Sequence, residues 1–249
     1  AAEKAGIIKP GKPVVIGEYL PETRTVFDQK ARQSEAPISY AQEETMISSF
    51  TSIPGKTPLV AFDLALNTGP AFKRITSPLT GNYQRHNFCT SLCALYHLPD
   101  QFIPDEAAVL RGFRNVKTLT GLQGRWEILN QSPFIVADTA HNLQGLQEAL
   151  AQWMNIPAQN RHIVLGVVND KDISGILGLF PTSAQYYFCK PDVPRGLDAG
   201  VLQEEAQSQG LMGKAYDSVQ LALKAAQSTA NKDDAIYIGG STFVVAEIL

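Results

Sequence analysis

Short apolar runs set off by turn residues mark out this chain. Pro13-Val14-Val15-Ile16-Gly17 is the first, and it predicts a buried strand. Leu20 to Gln33 carries a helical pattern, with Pro21 at a first-turn position. Residues 37 to 80 are richer in Thr, Ser and Pro. Within them Val60 to Leu66 alternates enough for a strand, and Asn67-Thr68-Gly69-Pro70 reads as a turn. His86 to Tyr96 predicts a helix ending near Leu98-Pro99. Asp105 to Gly112 predicts another, opened by an acidic cap.

The rhythm changes after Gly124. Strands are expected at Phe134 to Asp138, His162 to Gly166, Ala184 to Cys189 and Ala235 to Gly239. Helices are expected at Leu143 to Trp153, Ile173 to Phe180, Ala199 to Gln209 and Val219 to Thr229, with a last one starting at Thr242. Strands alternating with helices at this spacing imply a mostly parallel sheet covered on both faces. The second half is therefore expected to be a Rossmann-like α/β domain, with a linker near Asn115 to Gly124.

Composition narrows the function classes. At 44% hydrophobic and 18% charged, the chain can fill a core. A net charge of -3 argues against a generally basic nucleic-acid binder. No apolar run approaches a membrane span, and no secretory segment opens the chain. Three cysteines, an odd number, fit reduced thiols in a cytoplasmic protein. Cys89 and Cys93 lie one helical turn apart with no matching His or Cys pair, so zinc is not expected. The chain opens Ala-Ala-Glu-Lys without Met, and a removed upstream segment is expected.

Candidate chemistry gathers at strand ends. Asp138-Thr139-Ala140-His141-Asn142 lies between a strand and a helix, where α/β sheets place ligands. Its carboxylate, imidazole and amide suit a hydroxyl, a phosphate or a metal. The plain alternative is a helix start, with Asn142 capping and Asp138 bonding backbone. Asn169-Asp170-Lys171-Asp172 and Gly239-Gly240-Ser241-Thr242 should share that sheet edge, each with a solvated cap or tight turn as its plain alternative. Arg125 in Gly124-Arg125-Trp126-Glu127 can bind a phosphate or form an interdomain salt bridge. Asn87, in the first turn of its helix, can cap or read an adenine edge. Gly55-Lys56-Thr57 resembles the end of a P-loop, but Phe50 replaces the required Gly and Pro58 follows, so a loop turn is expected. No G-x-G-x-x-G occurs.

Taken in order, these segments resemble the folylpolyglutamate synthase and dihydrofolate synthase family of the Mur ligase superfamily. Glu3-Lys4-Ala5-Gly6-Ile7-Ile8-Lys9-Pro10-Gly11 is similar to the family's E-K-A-G-I-x-K/R-x-G segment. Leu79 to Asn87 is similar to L-x-G-x-x-Q-x-x-N, Gly124 to Glu127 to G-R-x-E/Q, and Asp138 to Asn142 to D-x-A-H-N. Asp170-Lys171-Asp172 and the Gly240-Ser241 turn follow. Residues 20 to 78 carry no such match.

The resemblance implies an ATP- and magnesium-dependent amide ligase. A pteroate or folyl-glutamate carboxylate is phosphorylated, and glutamate's amine attacks the acyl phosphate. It implies that Lys4 is carbamylated and linked to magnesium, and that Asn87 lies on the adenine side. Arg125 and Asp138 hold ATP at a domain junction. His141 sits near the phosphates or the incoming glutamate, and Ser241 is a weaker glutamate-side candidate. No direct metal ligand is assigned. The family's G-T-N-G-K-G-S/T loop is absent from this sequence. The chain is therefore expected to hold the C-terminal part of the central ATP-binding domain, residues 1–118, and the glutamate-ligase domain, residues 119–249. Alone it is expected to be inactive. Partners are expected to be small molecules, with no nucleic acid and no membrane. Two other readings stand beside this: a Mur-type ligase of cell-wall precursors, and a non-catalytic nucleotide- or partner-binding α/β domain.

Overall fold

The structure is a computed structural model that describes residues 1–169 and 173–249. It divides into two compact units, residues 1–78 with 84–120, and residues 79–83 with 121–249.

The first unit opens with α1 (Ala2–Ala5) and β1 (Val14–Ile16). Pro21 starts α2 (Pro21–Gln33), where a missing N–H costs nothing. This helix carries the chain to β2 (Ile38–Tyr40), which pairs parallel with β1. Ala5, Ile8, Phe27 and Ala36 form their shared core. Next come α3 (Ala41–Glu44), β3 (Thr45–Ile53), β4 (Leu59–Leu66) and β5 (Ala71–Ser77), the three strands making an antiparallel sheet. The Ser- and Thr-rich composition hid β3 and β5, whose outward positions mix polar residues such as Ser48, Thr51 and Lys73 with exposed apolar ones such as Met46. Gly55-Lys56-Thr57 is the exposed turn between β3 and β4.

The unit closes with α4 (Gln84–Tyr96), α5 (Glu106–Arg114) and α6 (Val116–Thr120), the last inside the expected linker. Asp105 caps α5 by accepting from the Ala108 amide at 2.6 Å. Phe62 on β4 stacks on Phe88 of α4 at 4.6 Å, and Phe113 of α5 meets both rings edge-on. Aromatic packing thus seats two helices on this sheet.

The second unit contains β6 (Glu127–Gln131), β7 (Phe134–Ala137), α7 (Leu143–Met154), β8 (Arg161–Leu165), α8 (Ile173–Leu177) and β9 (Gln185–Cys189). It continues through α9 (Ala199–Ser208), β10 (Gly213–Tyr216), α10 (Val219–Thr229), β11 (Ala235–Gly239) and α11 (Thr242–Ala246). Six strands lie in the order β10-β9-β8-β11-β7-β6. All neighbours are parallel except β6, which runs antiparallel to β7. The expected α/β architecture is present. The two edge strands, β6 and β10, lack the apolar run of the inner ones and escaped the pattern.

Period-two alternation explains how one strand serves two cores. Val136, Ile163 and Tyr237 face Leu146, Leu150 and Trp153 of α7. Ile135, Val164, Ile236 and Ile238 face Val219, Ala222 and Ala226 of α10. A sheet buried on both faces reads as continuous hydrophobic runs, which is why the inner strands were visible in sequence.

Candidate functional site

Strand β7 delivers Asp138 to the carboxyl edge of the sheet, where it is 1% exposed. Its Oδ1 accepts from the Ala140 amide at 2.8 Å. Its Oδ2 accepts from the Trp126 amide at 2.7 Å and the Tyr83 hydroxyl at 2.6 Å. Burial pushes this carboxyl above its ordinary value. The three hydrogen bonds and the nearby Arg125 charge pull the other way.

The Gly124-Arg125-Trp126 segment meets this turn side by side. Thr139 donates its amide to Gly124 O at 2.9 Å. Gly124 has φ +71°, and a Cβ there would stand 2.7 Å from the Thr139 methyl. Only glycine satisfies both conditions cheaply. Trp126 also has positive φ, at 51°, and the bend aims its N–H at Asp138. Between them, half-buried Arg125 donates to the Thr139 hydroxyl. His141 Nδ1 lies 2.9 Å from Thr139 O. A carbonyl only accepts, so Nδ1 carries the proton.

The end of β11 lies beside this turn. The Asp138 amide donates to Ile238 O at 3.0 Å. Gly240 has φ +90°, and a Cβ there would meet Gly166 O at 2.7 Å, so the turn packs tightly on the end of β8. Ser241 is buried and accepts from the Phe243 amide at 3.2 Å, capping α11. Asn142 caps α7 by accepting from Gly145 at 2.8 Å. The plain alternatives of capping and backbone bonding are thus present for Asn142, Asp138 and Ser241.

Arg125 and His141 meet through Thr139, the residue that follows Asp138, with Ser241 in the adjoining turn. Lys4 and Asn87 belong to the first unit. Lys4 is exposed on α1. Asn87 is exposed in the first turns of α4, where its Nδ2 donates to Gln84 Oε1 at 2.9 Å. Asp170, Lys171 and Asp172 lie outside the described residues.

Two participants were not singled out from sequence. Thr139 sits inside the D-T-A-H-N turn but has no chemistry that marks it. Tyr83 sits inside the glycine-glutamine motif, and only folding brings its hydroxyl to a carboxylate 55 positions away. At the opposite, amino edge of the sheet lies an open cavity of about 650 Å³. It is lined by His162, Lys214 and Asp234 among others.

Residues 124–242 match the family model for the Mur ligase, glutamate ligase domain. The matched span contains the Arg125–Thr139 contact, Asp138 with its Trp126 and Ala140 donors, and the β11 turn, while Tyr83 lies outside it. The chain is 28% identical to the dihydrofolate synthase/folylpolyglutamate synthase of Escherichia coli over 99% of its own length and 53% of that protein's.

The chain carries a Mur ligase glutamate ligase domain and is similar along its length to folylpolyglutamate and dihydrofolate synthases.

Solved structures of such synthases share its fold. Mycobacterium tuberculosis folylpolyglutamate synthase complexed with ADP superposes with a TM-score of 0.84 at 25% identity, covering 99% of this chain and 57% of that one. Escherichia coli FolC in complex with DHPP and ADP gives 0.77 at 26%, covering 99% and 54%. The chain spans about half the length of the curated relatives it matches.

Proposed function

We propose that this chain serves an ATP-dependent ligase that joins glutamate to a pteroate or folyl-glutamate carboxylate through an acyl phosphate. The observation that carries the reading is the buried cluster at the end of β7. Asp138 is fixed by three donors, with the Arg125 guanidinium beside it on Thr139. A cation held against an ionisable group at the carboxyl edge of a parallel sheet suits a nucleotide. Two relatives of matching fold are described as ADP complexes.

In this reading Arg125 and Asp138 hold the nucleotide, the guanidinium meeting phosphate and the carboxylate a hydroxyl. Asn87 takes the adenine side. His141, with Nδ1 committed to the Thr139 carbonyl, presents the rest of its ring toward phosphate or the glutamate amine. Ser241 contributes on the glutamate side from the turn it also caps. Lys4 becomes a carbamate, an oxygen donor of the kind magnesium prefers. When bound, magnesium offsets charge building on the phosphates. Lys4 is exposed beside Glu3 on a four-residue helix. No group of three or more His, Cys, Asp or Glu donors surrounds it among the described residues. The described residues therefore do not make a magnesium site on their own. ATP and magnesium are the proposed cofactors. The proposed partners are small molecules, and the proposed location is the cytoplasm, in keeping with three free cysteines. No described helix is long and apolar enough to cross a membrane.

The test is ATP-dependent incorporation of labelled glutamate into pteroate and into folyl-glutamate, using the complete protein encoded by the open reading frame that contains this chain. A muramyl-peptide acceptor is the control. Incorporation into either folate substrate supports the reading. Incorporation only into the muramyl acceptor, or none with any acceptor, overturns it.

A further inference from the structure

The first unit holds a second cluster of ligating side chains, on elements that carry no residue of the candidate site except Asn87. Glu44 ends α3, Cys93 lies on the inner face of α4, and His97 follows just after that helix. Four positions separate Cys93 from His97, so both project from one side of the helix. There they meet the Glu44 carboxylate. Its Oε2 lies 3.4 Å from Cys93 Sγ and 3.1 Å from His97 Nε2. All three donor atoms lie within 4.8 Å of one another.

We propose that Glu44, Cys93 and His97 form a binding site for a borderline-soft divalent cation, with Zn2+ the best match. A thiolate, an imidazole and a carboxylate are all zinc donors, whereas magnesium and calcium take oxygen alone. Tetrahedral zinc with ordinary bond lengths places neighbouring donor atoms about 3.3–3.6 Å apart. The Glu44–Cys93 and Glu44–His97 separations, 3.4 and 3.1 Å, therefore need to change by only a few tenths of an ångström. Cys93 Sγ and His97 Nε2, within 4.8 Å of each other, close onto the ion by side-chain rotation of the partly exposed histidine.

The surroundings fit as well. The Ser39 side chain also bonds the Glu44 carboxylate, the kind of support that orients a ligand. Cys93 is fully buried, while His97 is partly exposed and leaves a side open to water. Three protein donors and one water complete a four-coordinate ion. On binding, the Cys93 thiol gives its proton to solvent and its sulfur electron pair to the metal. No electron transfer is involved. The ion would tie the end of α3 to the end of α4 and stabilise this unit increasingly as free metal rises above its dissociation constant.

The experiment uses the complete encoded protein, stripped with chelator and titrated with Co2+ as a spectroscopic stand-in, then with Zn2+. The expected result is a near-ultraviolet thiolate-to-cobalt charge-transfer band at one equivalent, bleached by Zn2+. Oxygen-only sites elsewhere in the protein produce no such band. Cys93→Ser should abolish it, while Cys89→Ser and Cys189→Ser should keep it. His97→Gln, at a partly exposed position where misfolding is not expected, should weaken Zn2+ binding at least tenfold. Groups that merely orient ligands already cost about 10–100-fold. Absence of the band in the unmodified protein overturns the proposal. So does a band that survives Cys93→Ser, or a Zn2+ affinity unchanged by His97→Gln.

Discussion

The Tyr83 hydroxyl donates a 2.6 Å hydrogen bond to Asp138 Oδ2, although 55 positions separate the two residues. The bond favours the ionised carboxylate, while burial opposes it.

Tyr83→Phe should therefore push the Asp138 carboxyl further up. It should also destabilise the second unit by roughly 1.5–3 kcal/mol, the usual worth of a hydrogen bond to a charged group. The sign with pH follows from the raised value. Above the ordinary 3.8, the folded state keeps a proton that the unfolded chain has released. Stability then falls as pH rises towards the folded value. In Tyr83→Phe that decline should extend to higher pH. Carboxyl-detected NMR of Asp138 and urea unfolding across pH check both statements. An unchanged or lowered Asp138 titration contradicts them.

Arg125→Ala tests the nucleotide role. Losing charge-assisted contacts costs roughly 1.5–3 kcal/mol, so kcat/KM for ATP should fall about ten- to a hundredfold. Thr139→Val keeps the shape but removes the hydroxyl that holds Arg125, and should give a smaller loss of the same kind. Normal ATP kinetics with a lower Tm would mean that the Arg125–Thr139 contact is structural.

Gly124→Ala should be costly for a reason independent of catalysis. The φ of +71° is disfavoured for any residue with a Cβ, by about 1–2 kcal/mol. The new methyl would also stand 2.7 Å from the Thr139 methyl. A loss of about 2 kcal/mol or more is expected in chemical denaturation. A loss below about 0.5 kcal/mol would mean the turn relaxes freely.

Asp234, at the amino edge of the sheet, should matter for folding alone. It accepts from the Asn160 amide at 2.9 Å and side chain at 3.0 Å, and from the Asn231 amide at 2.7 Å. Burial pushes its carboxyl up, but the Asn231, Asn160 and His162 hydrogen bonds outweigh burial and hold it below its ordinary value. The stabilisation it brings is thus present above that value and lost as pH falls through the folded one. Asp234→Ala orphans these donors and should cost about 2–4 kcal/mol at neutral pH, with a smaller difference in acid. Urea midpoints at pH 7 and pH 3 make the comparison.

Local pattern was enough for much of this protein. The inner strands β7, β8, β9 and β11 are buried on both faces, so their apolar runs could be read without a structure. Pro21, Asp105 and Asn142 act within a few residues of themselves, and start or cap their helices as their chemistry dictates. The motifs around Arg125 and Asp138 were legible for the same reason: each is a short stretch whose order survives in the chain.

What tertiary structure decided was which distant groups meet. β3, β5, β6 and β10 present polar residues to solvent and take their conformation from a neighbouring strand, which sequence pattern does not record. Tyr83 reaches Asp138 only because residues 79–83 pack with the second unit. Glu44 reaches Cys93 and His97 only because α3 ends beside α4. Spacing along the chain predicts a contact when backbone geometry alone fixes the distance, as between Cys93 and His97. Where a hydrogen bond or a metal site joins separate elements, the distance is set by how their apolar faces pack.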